Sequence, residues 1–409
     1  MIENMSENKT EGIGTVAVRG GENEEKLLGS VIAPVFHSTT YGFKTFDEMR
    51  RYAKGELPES FFYSRYANPT VAQVERKIAG LEKAESVCVV SSGSAATFCA
   101  TAALCEAGDE IIATDSLYGG TTKIFKDFFA RFGVHVRFIS IDEIPRLKEI
   151  RGEKTKLFWF ETPTNPNNRI VDLKAAATAA KEANLFSIID NTFATPVLQR
   201  PITHGINAVM HSATKYLGGH SDVTAGVVAG DESFISKVRN VSLRIGTTLD
   251  AAGAYLLERG IKTLEVRVRA SCENALRVAE SLKQNKNVTR VYYPGLEDDP
   301  NHLLAKEQMN GLFGSIVAFD IKGDEAEVEK FFDSLKLVHN APSLGGVESL
   351  ASYPLLSSHI GFSDEQLKAA GVSASTIRLA IGIETVDDIV ADLEQALASL
   401  TSQMSQACP

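Results

Sequence analysis

Short apolar runs alternate with polar loops and helical segments between about residues 80 and 230. Brief apolar runs bounded by turn residues are typical of strands buried on both faces, and helices between such strands indicate parallel pairing. The predicted strands cover residues 87–90, 111–113, 134–139, 157–160, 186–189 and 226–229. The pattern therefore predicts an α/β domain in which helices cover a mostly parallel sheet.

The pattern changes on either side of this region. Residues 1–65 show no long helical period and are interrupted by proline and glycine, so we expect an arm that lies on another surface. A long amphipathic helix is predicted at about 264–282. Further strands near 288–293, 315–321 and 377–383 and helices near 324–335 and 386–400 predict a smaller α/β domain. The predicted units are thus the arm, a large domain over 66–262 and a C-terminal domain over 263–409.

Polar or small residues follow four of the predicted strands. They occupy residues 91–94, 115–120, 161–165 and 190–192. Because ligands of open α/β sheets bind beyond the carboxyl ends of the strands, these segments predict one site assembled from distant parts of the chain.

Lys215 follows two hydroxyl residues, Ser212 and Thr214. A lysine amine can bond to the aldehyde of pyridoxal phosphate (PLP), and the hydroxyls can hold its phosphate. Asp190, at the end of a buried run, can keep the cofactor ring nitrogen protonated, since a buried carboxylate needs a partner. Alone, Lys215 would be a surface charge and Asp190 a capping residue. Their combination predicts a PLP site.

Three further segments offer contacts to such a cofactor. Gly93 and Ser94 open a helix whose free amides can bind phosphate, although an ordinary strand-to-helix turn explains them about as well. Tyr118 can stack on a planar ring or pack within its loop. Arg65, two residues after Tyr63, can fork onto a phosphate or remain in solvent.

Apolar residues alternate strictly over 376–383, which is typical of a strand. The residues predicted to share its buried face are Ile377, Leu379, Ile381 and Ile383. Arg378 lies on the other face, where small neighbours leave room for a ligand. A bidentate guanidinium suits an α-carboxylate, so Arg378 is the candidate for binding an amino-acid substrate; an edge-strand arginine in solvent is the alternative.

Several short motifs occur in order between about residues 11 and 399. They are Tyr63-Ser64-Arg65, Asn68-Pro69-Thr70, Ser92-Gly93, Tyr118-Gly119-Gly120, Glu161-Thr162-Pro163-Thr164-Asn165-Pro166, Asp190-Asn191-Thr192, Ser212-Ala213-Thr214-Lys215, Ser343-Leu344-Gly345-Gly346 and Ile377-Arg378-Leu379. Together they closely resemble the Cys/Met-metabolism family of PLP enzymes, which act in trans-sulfuration. The resemblance implies the fold type I of PLP-dependent transferases, with a mostly parallel seven-stranded sheet and a smaller C-terminal α/β domain.

The resemblance also implies a role for each motif residue. Lys215 binds the cofactor covalently and acts as a general base, which requires a lowered amine pKa. Tyr118 stacks on the ring and assists departure of the γ-substituent. By the same resemblance, Asp190 contacts the pyridine nitrogen, and Asn165 lies near the phenolic oxygen. The phosphate is bound by Gly93, Ser94, Ser212 and Thr214, and by Tyr63 and Arg65 of the neighbouring subunit. Ser343 and Arg378 bind the substrate carboxylate.

Within the family, the expected activity is that of a cystathionine γ-synthase, which joins cysteine to an activated homoserine. The alternatives are cystathionine γ-lyase, then O-acylhomoserine sulfhydrylase or methionine γ-lyase. Methionine γ-lyases typically have a cysteine where this chain has Gly120, and Ala341-Pro342-Ser343 is similar to plant-type γ-synthases. Phe62 stands where several relatives have an acidic residue, which leaves the choice of thiol open.

Composition narrows the location and partners of the 409-residue chain. No segment approaches the roughly 18 apolar residues of a membrane span, so no membrane contact and a cytoplasmic location are expected. A net charge of -10 without a basic cluster argues against nucleic acid. Five cysteines without a C-x-x-C pair and eight dispersed histidines predict no metal site. The resemblance implies amino-acid substrates and a homotetramer of two dimers that share their sites.

Overall fold

The computed structural model describes residues 11–21, 29–57, 60–363, 367 and 370–400, so the start of the predicted arm and the tail with Cys408 lie outside the described residues. The α-helices are α1 Ile13–Arg19, α2 Phe46–Ala53, α3 Pro69–Glu82, α4 Gly93–Ala102, α5 Gly119–Lys123, α6 Leu147–Ile150, α7 Leu173–Glu182, α8 Thr195–Leu198, α9 Glu232–Ile245, α10 Ala251–Ile261, α11 Leu264–Gln284, α12 His302–Gln308, α13 Glu325–Ser334 and α14 Val386–Ser399. The strands are β1 Ser86–Val90, β2 Glu110–Thr114, β3 His135–Ile139, β4 Thr155–Glu161, β5 Phe186–Asp190, β6 Ala208–Ser212, β7 Gly226–Gly230, β8 Val288–Tyr292, β9 Ile316–Ile321, β10 His339–Asn340, β11 Leu350–Ser352 and β12 Thr376–Ala380.

Strands β1 to β7 form one sheet in the order β1-β7-β6-β5-β4-β2-β3. β2 to β6 pair in parallel, whereas β7 runs antiparallel between β1 and β6. Successive side chains enter different cores: Ile188 packs with residues of α4 and α9, and Ile189 packs with residues of α3 and α7. Helices therefore cover both faces, and the predicted mostly parallel seven-stranded sheet is confirmed.

The central strand β6 is missing from the predicted apolar runs. Its sequence Ala-Val-Met-His-Ser ends in two polar residues, which shortens the apolar signal. His211 is nevertheless buried, because its Nε2 lies 2.5 Å from the Glu82 carboxylate at the end of α3. The strand leads directly to Lys215, so the element that the sequence pattern missed is one that positions the candidate site.

The remaining strands form a second sheet in the order β10-β11-β12-β9-β8. The predicted helices α11, α13 and α14 are present, whereas β10 and β11 were not predicted because they span only two and three residues. β12 ends at Ala380, so Ile383 is 41% exposed and its predicted place on the buried face is wrong. Leu379 and Ile381 are buried as predicted.

The described part of residues 1–65 contains two short helices, α1 and α2, instead of one long helix. α1 packs against α3 and α11, while aromatic residues near residues 43–66 contact one another on the surface. Among the described residues, no helix combines the length and apolar character needed to cross a membrane. Cys88, Cys99, Cys105 and Cys272 are buried free thiols.

Candidate active site

A cavity of about 460 Å³ lies beyond the carboxyl ends of β1, β4, β5 and β6, where the loops of the large sheet meet residues of the second sheet. The predicted site residues that line it are Gly93, Ser94, Tyr118, Asn165, Asp190, Ser212, Thr214, Lys215, Ser343 and Arg378. The fold therefore brings together side chains that are far apart in the sequence, from Gly93 to Arg378. Tyr63 and Arg65 do not line this cavity.

Lys215 lies in the short turn that follows β6. Its Nζ donates a hydrogen bond to Ser343 Oγ at 2.6 Å, which joins the large sheet to the C-terminal region. Burial, and then the positive charge of Arg378, lower the pKa of Lys215 to about 8. A larger share of the amine is therefore neutral near pH 7 than for an exposed lysine, and neutral nitrogen is the form that attacks a carbonyl or accepts a proton.

The lowered pKa of Lys215 makes the capture of PLP by the apoenzyme pH-dependent. We expect the rate of covalent attachment, followed by visible absorbance, to rise with pH around a midpoint near 8 and to level off at higher pH, because the amine is half neutral at its pKa of about 8 and fully neutral only well above it. In Arg378→Ala the midpoint should move upward, since one of the two causes of the lowering is removed. A rate that keeps climbing towards 10.5, the usual lysine value, would contradict this environment for Lys215.

Asp190 is the last residue of β5 and is 7% exposed. Its Oδ1 accepts hydrogen bonds from the Thr192 backbone N–H at 3.0 Å and from the Thr192 hydroxyl at 2.5 Å. Burial raises the pKa of Asp190, while these bonds and the charge of His211 oppose the rise. Oδ2 has no hydrogen-bond partner in the described part of the protein and remains available to a cationic ring nitrogen.

The start of α4 forms a cradle for an anion. The backbone N–H groups of Gly93 and Ser94 precede the first amide of this helix that has an intrahelical acceptor. A Cβ atom at Gly93 would lie 2.8 Å from Ser212 Cβ, so glycine is what lets the helix start approach β6. Free amides at the positive end of a helix, beside a serine hydroxyl, fit a phosphate group.

Thr214 lines the same cavity, but its hydroxyl is already used within the protein. Thr214 Oγ1 donates to the Ala225 carbonyl at 3.2 Å and accepts from the Ala225 N–H at 3.0 Å. These bonds close the turn between β6 and β7 around Lys215. A phosphate contact by Thr214 stays a prediction, and its visible contribution is to hold the lysine turn.

Arg378 reaches the cavity from β12 and is 4% exposed. Its Nη2 donates to the Ser343 carbonyl at 2.9 Å, and its Nη1 donates to Asn165 Oδ1 at 3.2 Å. Nε is buried and has no partner among the described residues, and burial lowers the guanidinium pKa to about 10. Ser343 itself has a left-handed backbone with φ 97°, a strained conformation for serine that is typical of functional sites. The guanidinium is a buried cation with a donor to spare for a carboxylate.

Tyr118 precedes α5, and its ring is 47% exposed at the edge of the cavity. Its backbone N–H donates to Glu161 Oε2 at 2.8 Å, and its ring lies over Gly120, where an added Cβ would be 2.4 Å from Tyr118 Cε1. The partly exposed ring is free to cover a planar group bound in the cavity.

Tyr63 and Arg65 lie apart from this cavity. Tyr63 is 37% exposed, and Arg65 donates to the Leu243 carbonyl at 2.9 Å while its guanidinium stacks on Tyr66 at 4.9 Å. A contact of these residues with a phosphate in their own chain therefore finds no support in their positions. The predicted contact with a neighbouring subunit stays a prediction.

Glu161 and Thr192 also line the cavity, although neither was predicted to be a site residue. Each stands at the end of a buried strand or directly after it, next to a residue of the predicted site. That position is the signal that could have identified them, because strand ends of parallel sheets converge.

The donor set fits PLP: an amine of lowered pKa, a carboxylate for the ring nitrogen, a helix start for the phosphate and a buried arginine for a substrate carboxylate. Together with a mostly parallel sheet covered on both faces, they define the class of PLP-dependent enzymes of fold type I. The chain belongs to the Cys/Met metabolism PLP-dependent enzyme family, whose model matches residues 14–398. PLP is thus its cofactor.

Relatives with different activities resemble the chain over nearly its whole length. It is 37% identical to an L-methionine gamma-lyase of Fusobacterium nucleatum subsp. polymorphum, covering 96% of this chain and 100% of the relative. It is 38% identical to a cystathionine beta-lyase of Lactococcus lactis subsp. cremoris, covering 94% and 98%. The crystal structure of cystathionine gamma synthase from Xanthomonas oryzae pv. oryzae in complex with aminoacrylate and cysteine superposes with a TM-score of 0.89, at 34% identity over 95% of this chain and 98% of that chain. The protein is an enzyme of the trans-sulfuration family, in sulfur amino-acid metabolism.

Proposed function

We propose that the protein is a cystathionine γ-synthase-like enzyme, which replaces the γ-substituent of an activated homoserine with the sulfur of cysteine. The observation that carries this choice over methionine γ-lyase is Gly120. An added Cβ at this position would lie 2.4 Å from Tyr118 Cε1, so a cysteine here would require the Tyr118 ring to take another position. The Ala341-Pro342-Ser343 segment supports the same choice.

In this proposal the residues of the cavity have separate roles in substrate binding, cofactor binding and proton transfer. Arg378 and Ser343 bind the substrate carboxylate, and Asn165 lies near the phenolic oxygen of the cofactor. Bound PLP supplies an electron sink for the carbanions at the α- and β-carbons. Lys215, whose pKa is lowered to about 8, would remove the α-proton and then a β-proton, and would return protons to these carbons after the γ-substituent has been replaced.

The remaining proposed contacts with PLP are supported by the positions of these residues at the strand ends. Asp190 pairs with the ring nitrogen, and Tyr118 covers the ring and assists departure of the γ-group. The phosphate lies at the start of α4, bound by Gly93, Ser94, Ser212 and Thr214.

We also propose that two chains complete each site. Tyr63 and Arg65 are exposed and lie outside the cavity of their own chain, which suits a contact with the phosphate of a neighbour. Phe62 and Tyr66, 37% and 43% exposed, extend an aromatic surface beside them that a second chain would cover. In this assembly, a homotetramer of two dimers, residues 1–65 form the arm, 66–262 the large domain and 263–409 the C-terminal domain.

Product analysis tests the proposed reaction. The purified enzyme with O-succinyl-, O-acetyl- or O-phosphohomoserine and cysteine should form cystathionine. Release of cysteine and 2-oxobutanoate from cystathionine alone, at a much higher rate, would assign a γ-lyase instead. Homocysteine and pyruvate from cystathionine would assign a β-lyase, and a volatile thiol from methionine would assign a methionine γ-lyase. Each outcome has its own products, so one mass-spectrometric assay separates them.

The phosphate cradle predicts a specific loss in Gly93→Ala. The added methyl group meets Ser212 at 2.8 Å and forces the helix start away from β6, which lengthens the amide contacts with phosphate. We expect the dissociation constant for PLP to rise roughly tenfold or more, as for a lost hydrogen bond to a charged group. Gly12→Ala, with nothing within 4 Å of the added carbon, is the control. Equal PLP affinity in both variants would rule out phosphate binding at α4.

A further inference from the structure

Glu161 is the last residue of β4 and the pairing partner of Asp190, the last residue of β5. Both side chains line the cavity, and Glu161 is only 4% exposed. Across the part of the chain that the structure describes, no basic side chain forms an ion pair with this carboxyl group. Burying such a group costs free energy, which its hydrogen bonds and the nearby charge of Arg378 offset.

Both oxygens of Glu161 accept hydrogen bonds from the backbone. Oε2 accepts from the N–H of Tyr118 at 2.8 Å, and Oε1 accepts from the N–H of Asn165 at 3.0 Å. Tyr118 lies in the loop after β2, 43 residues away along the chain, whereas Asn165 lies in the loop after β4. One side chain therefore ties together two loops that follow different strands of the sheet.

Each of these loops carries a side chain with a separate task. The Tyr118 loop presents the aromatic ring at the edge of the cavity, and Asn165 Oδ1 accepts from Arg378 at 3.2 Å. The Glu161 carboxyl group is thus linked to the ring on one side and, through Asn165, to the buried arginine on the other. A shift of Glu161 would move both.

We propose that Glu161 is a positioning residue of the reaction, which holds the ring of Tyr118 and the Asn165–Arg378 pair in register with Asp190. It acts on the cofactor and substrate only through these neighbours. The inference rests on the proposed contacts of Tyr118 and Asn165 with PLP. Glu161 would set the distance between the two residues that make these contacts, Tyr118 and Asn165.

The charge of Asp190, the neighbouring carboxylate, determines what Glu161→Gln would change. Burial first, and then the charge of Asp190, raise the pKa of Glu161 well above its usual range. Two adjacent buried carboxylates resist joint ionisation, and the Thr192 bonds favour charge on Asp190. Glu161→Gln therefore alters hydrogen bonding more than charge, because an amide has one acceptor oxygen and turns an NH2 group towards one of the two backbone N–H groups.

The test compares the PLP-loaded enzyme with Glu161→Gln and Glu161→Asp. The visible circular dichroism of bound PLP reports the asymmetry of its surroundings and needs no turnover. We expect this band to change in both variants, since aspartate is one methylene too short to reach both loops. We expect kcat to fall about 10²-fold, the loss typical of a displacement near 1 Å. KM should rise less, because Arg378 keeps its bond to the Ser343 carbonyl.

Glu110→Gln is the matched control. Glu110 starts β2 at the opposite end of the sheet and also accepts from a threonine hydroxyl and an arginine, so its loss tests stability alone. Unchanged dichroism and kcat in both Glu161 variants would overturn the proposal, and so would an equal change in Glu110→Gln.

Asn165→Ala distinguishes the positioning role of Glu161 from the proposed contact of Asn165 with the cofactor. If this variant changes the band while the Glu161 variants do not, the positioning role alone is wrong; if it leaves the band unchanged while they alter it, the proposed cofactor contact of Asn165 is wrong and Glu161 acts through Tyr118.

Discussion

Replacing Lys215 with alanine should abolish turnover and the covalent capture of PLP together. Removal of a general base costs about 10²–10⁴-fold in rate, and here the same amine also binds the cofactor, so we expect a fall in kcat of roughly 10³-fold or more. The visible absorbance of the protein as isolated should be lost. Absorbance that persists without added amine would show that another group holds the cofactor.

Two variants separate chemistry from charge and folding. Lys215→Arg keeps a cation beside Ser343 but cannot bond covalently, so it should be as inactive as Lys215→Ala. Lys174→Ala removes a surface lysine whose ion pair with Glu307 is exposed, and it should behave as wild type. High activity in Lys215→Arg would reduce the lysine to an electrostatic role.

The loss in Lys215→Ala should not come from unfolding. Folding lowers the pKa of this amine from 10.5 to about 8, so the folded state binds the proton less tightly than the unfolded chain does. Below pH 8 the charged amine is therefore a cost to folding, and its removal lifts that cost. The apo variant should melt no lower than apo wild type at neutral pH, measured by protein circular dichroism.

The large sheet was predictable because its strands are buried on both faces. Runs such as residues 157–160 are apolar throughout, and this signal survives without any knowledge of the tertiary structure. Strand β6 was not predictable, since His211 interrupts its apolar pattern. This histidine is buried because it pairs with Glu82 at the end of α3. A pair formed between distant elements leaves no periodic trace in either segment.

The same distinction separates the predicted site residues from the missed ones. Lys215 and Asp190 could be found because they stand among hydroxyls or at the end of an apolar run. Glu161 also ends an apolar run, but its proposed role depends on hydrogen bonds from two backbone N–H groups, one of them 43 residues away in the sequence. Backbone donors carry no sequence signature, so only the fold reveals what such a carboxyl group binds.

Replacing Arg378 should produce the second large effect, on substrate binding. The guanidinium is 4% exposed, donates to Ser343 and Asn165, and keeps one donor nitrogen, Nε, without a partner in the described residues. A substrate carboxylate in this place would form a buried charge pair, and truncating one member of such a pair costs about 2–5 kcal/mol. We expect kcat/KM for the amino-acid substrate to fall roughly 10²–10³-fold in Arg378→Ala, mainly through KM.

The substrate itself provides the sharpest control for this assignment. Wild type should prefer an activated homoserine with a free carboxylate over its carboxamide, and Arg378→Ala should lose most of that preference, because the discriminating charge has gone. Arg378→Lys should lie between them, since it keeps the charge but not the planar fork. Arg290→Ala, an exposed arginine of the same sheet that stacks on Tyr292, should leave the preference intact. A carboxylate preference that survives in Arg378→Ala would place the carboxylate at another cation and leave Arg378 with a structural role, as the partner of Ser343 and Asn165.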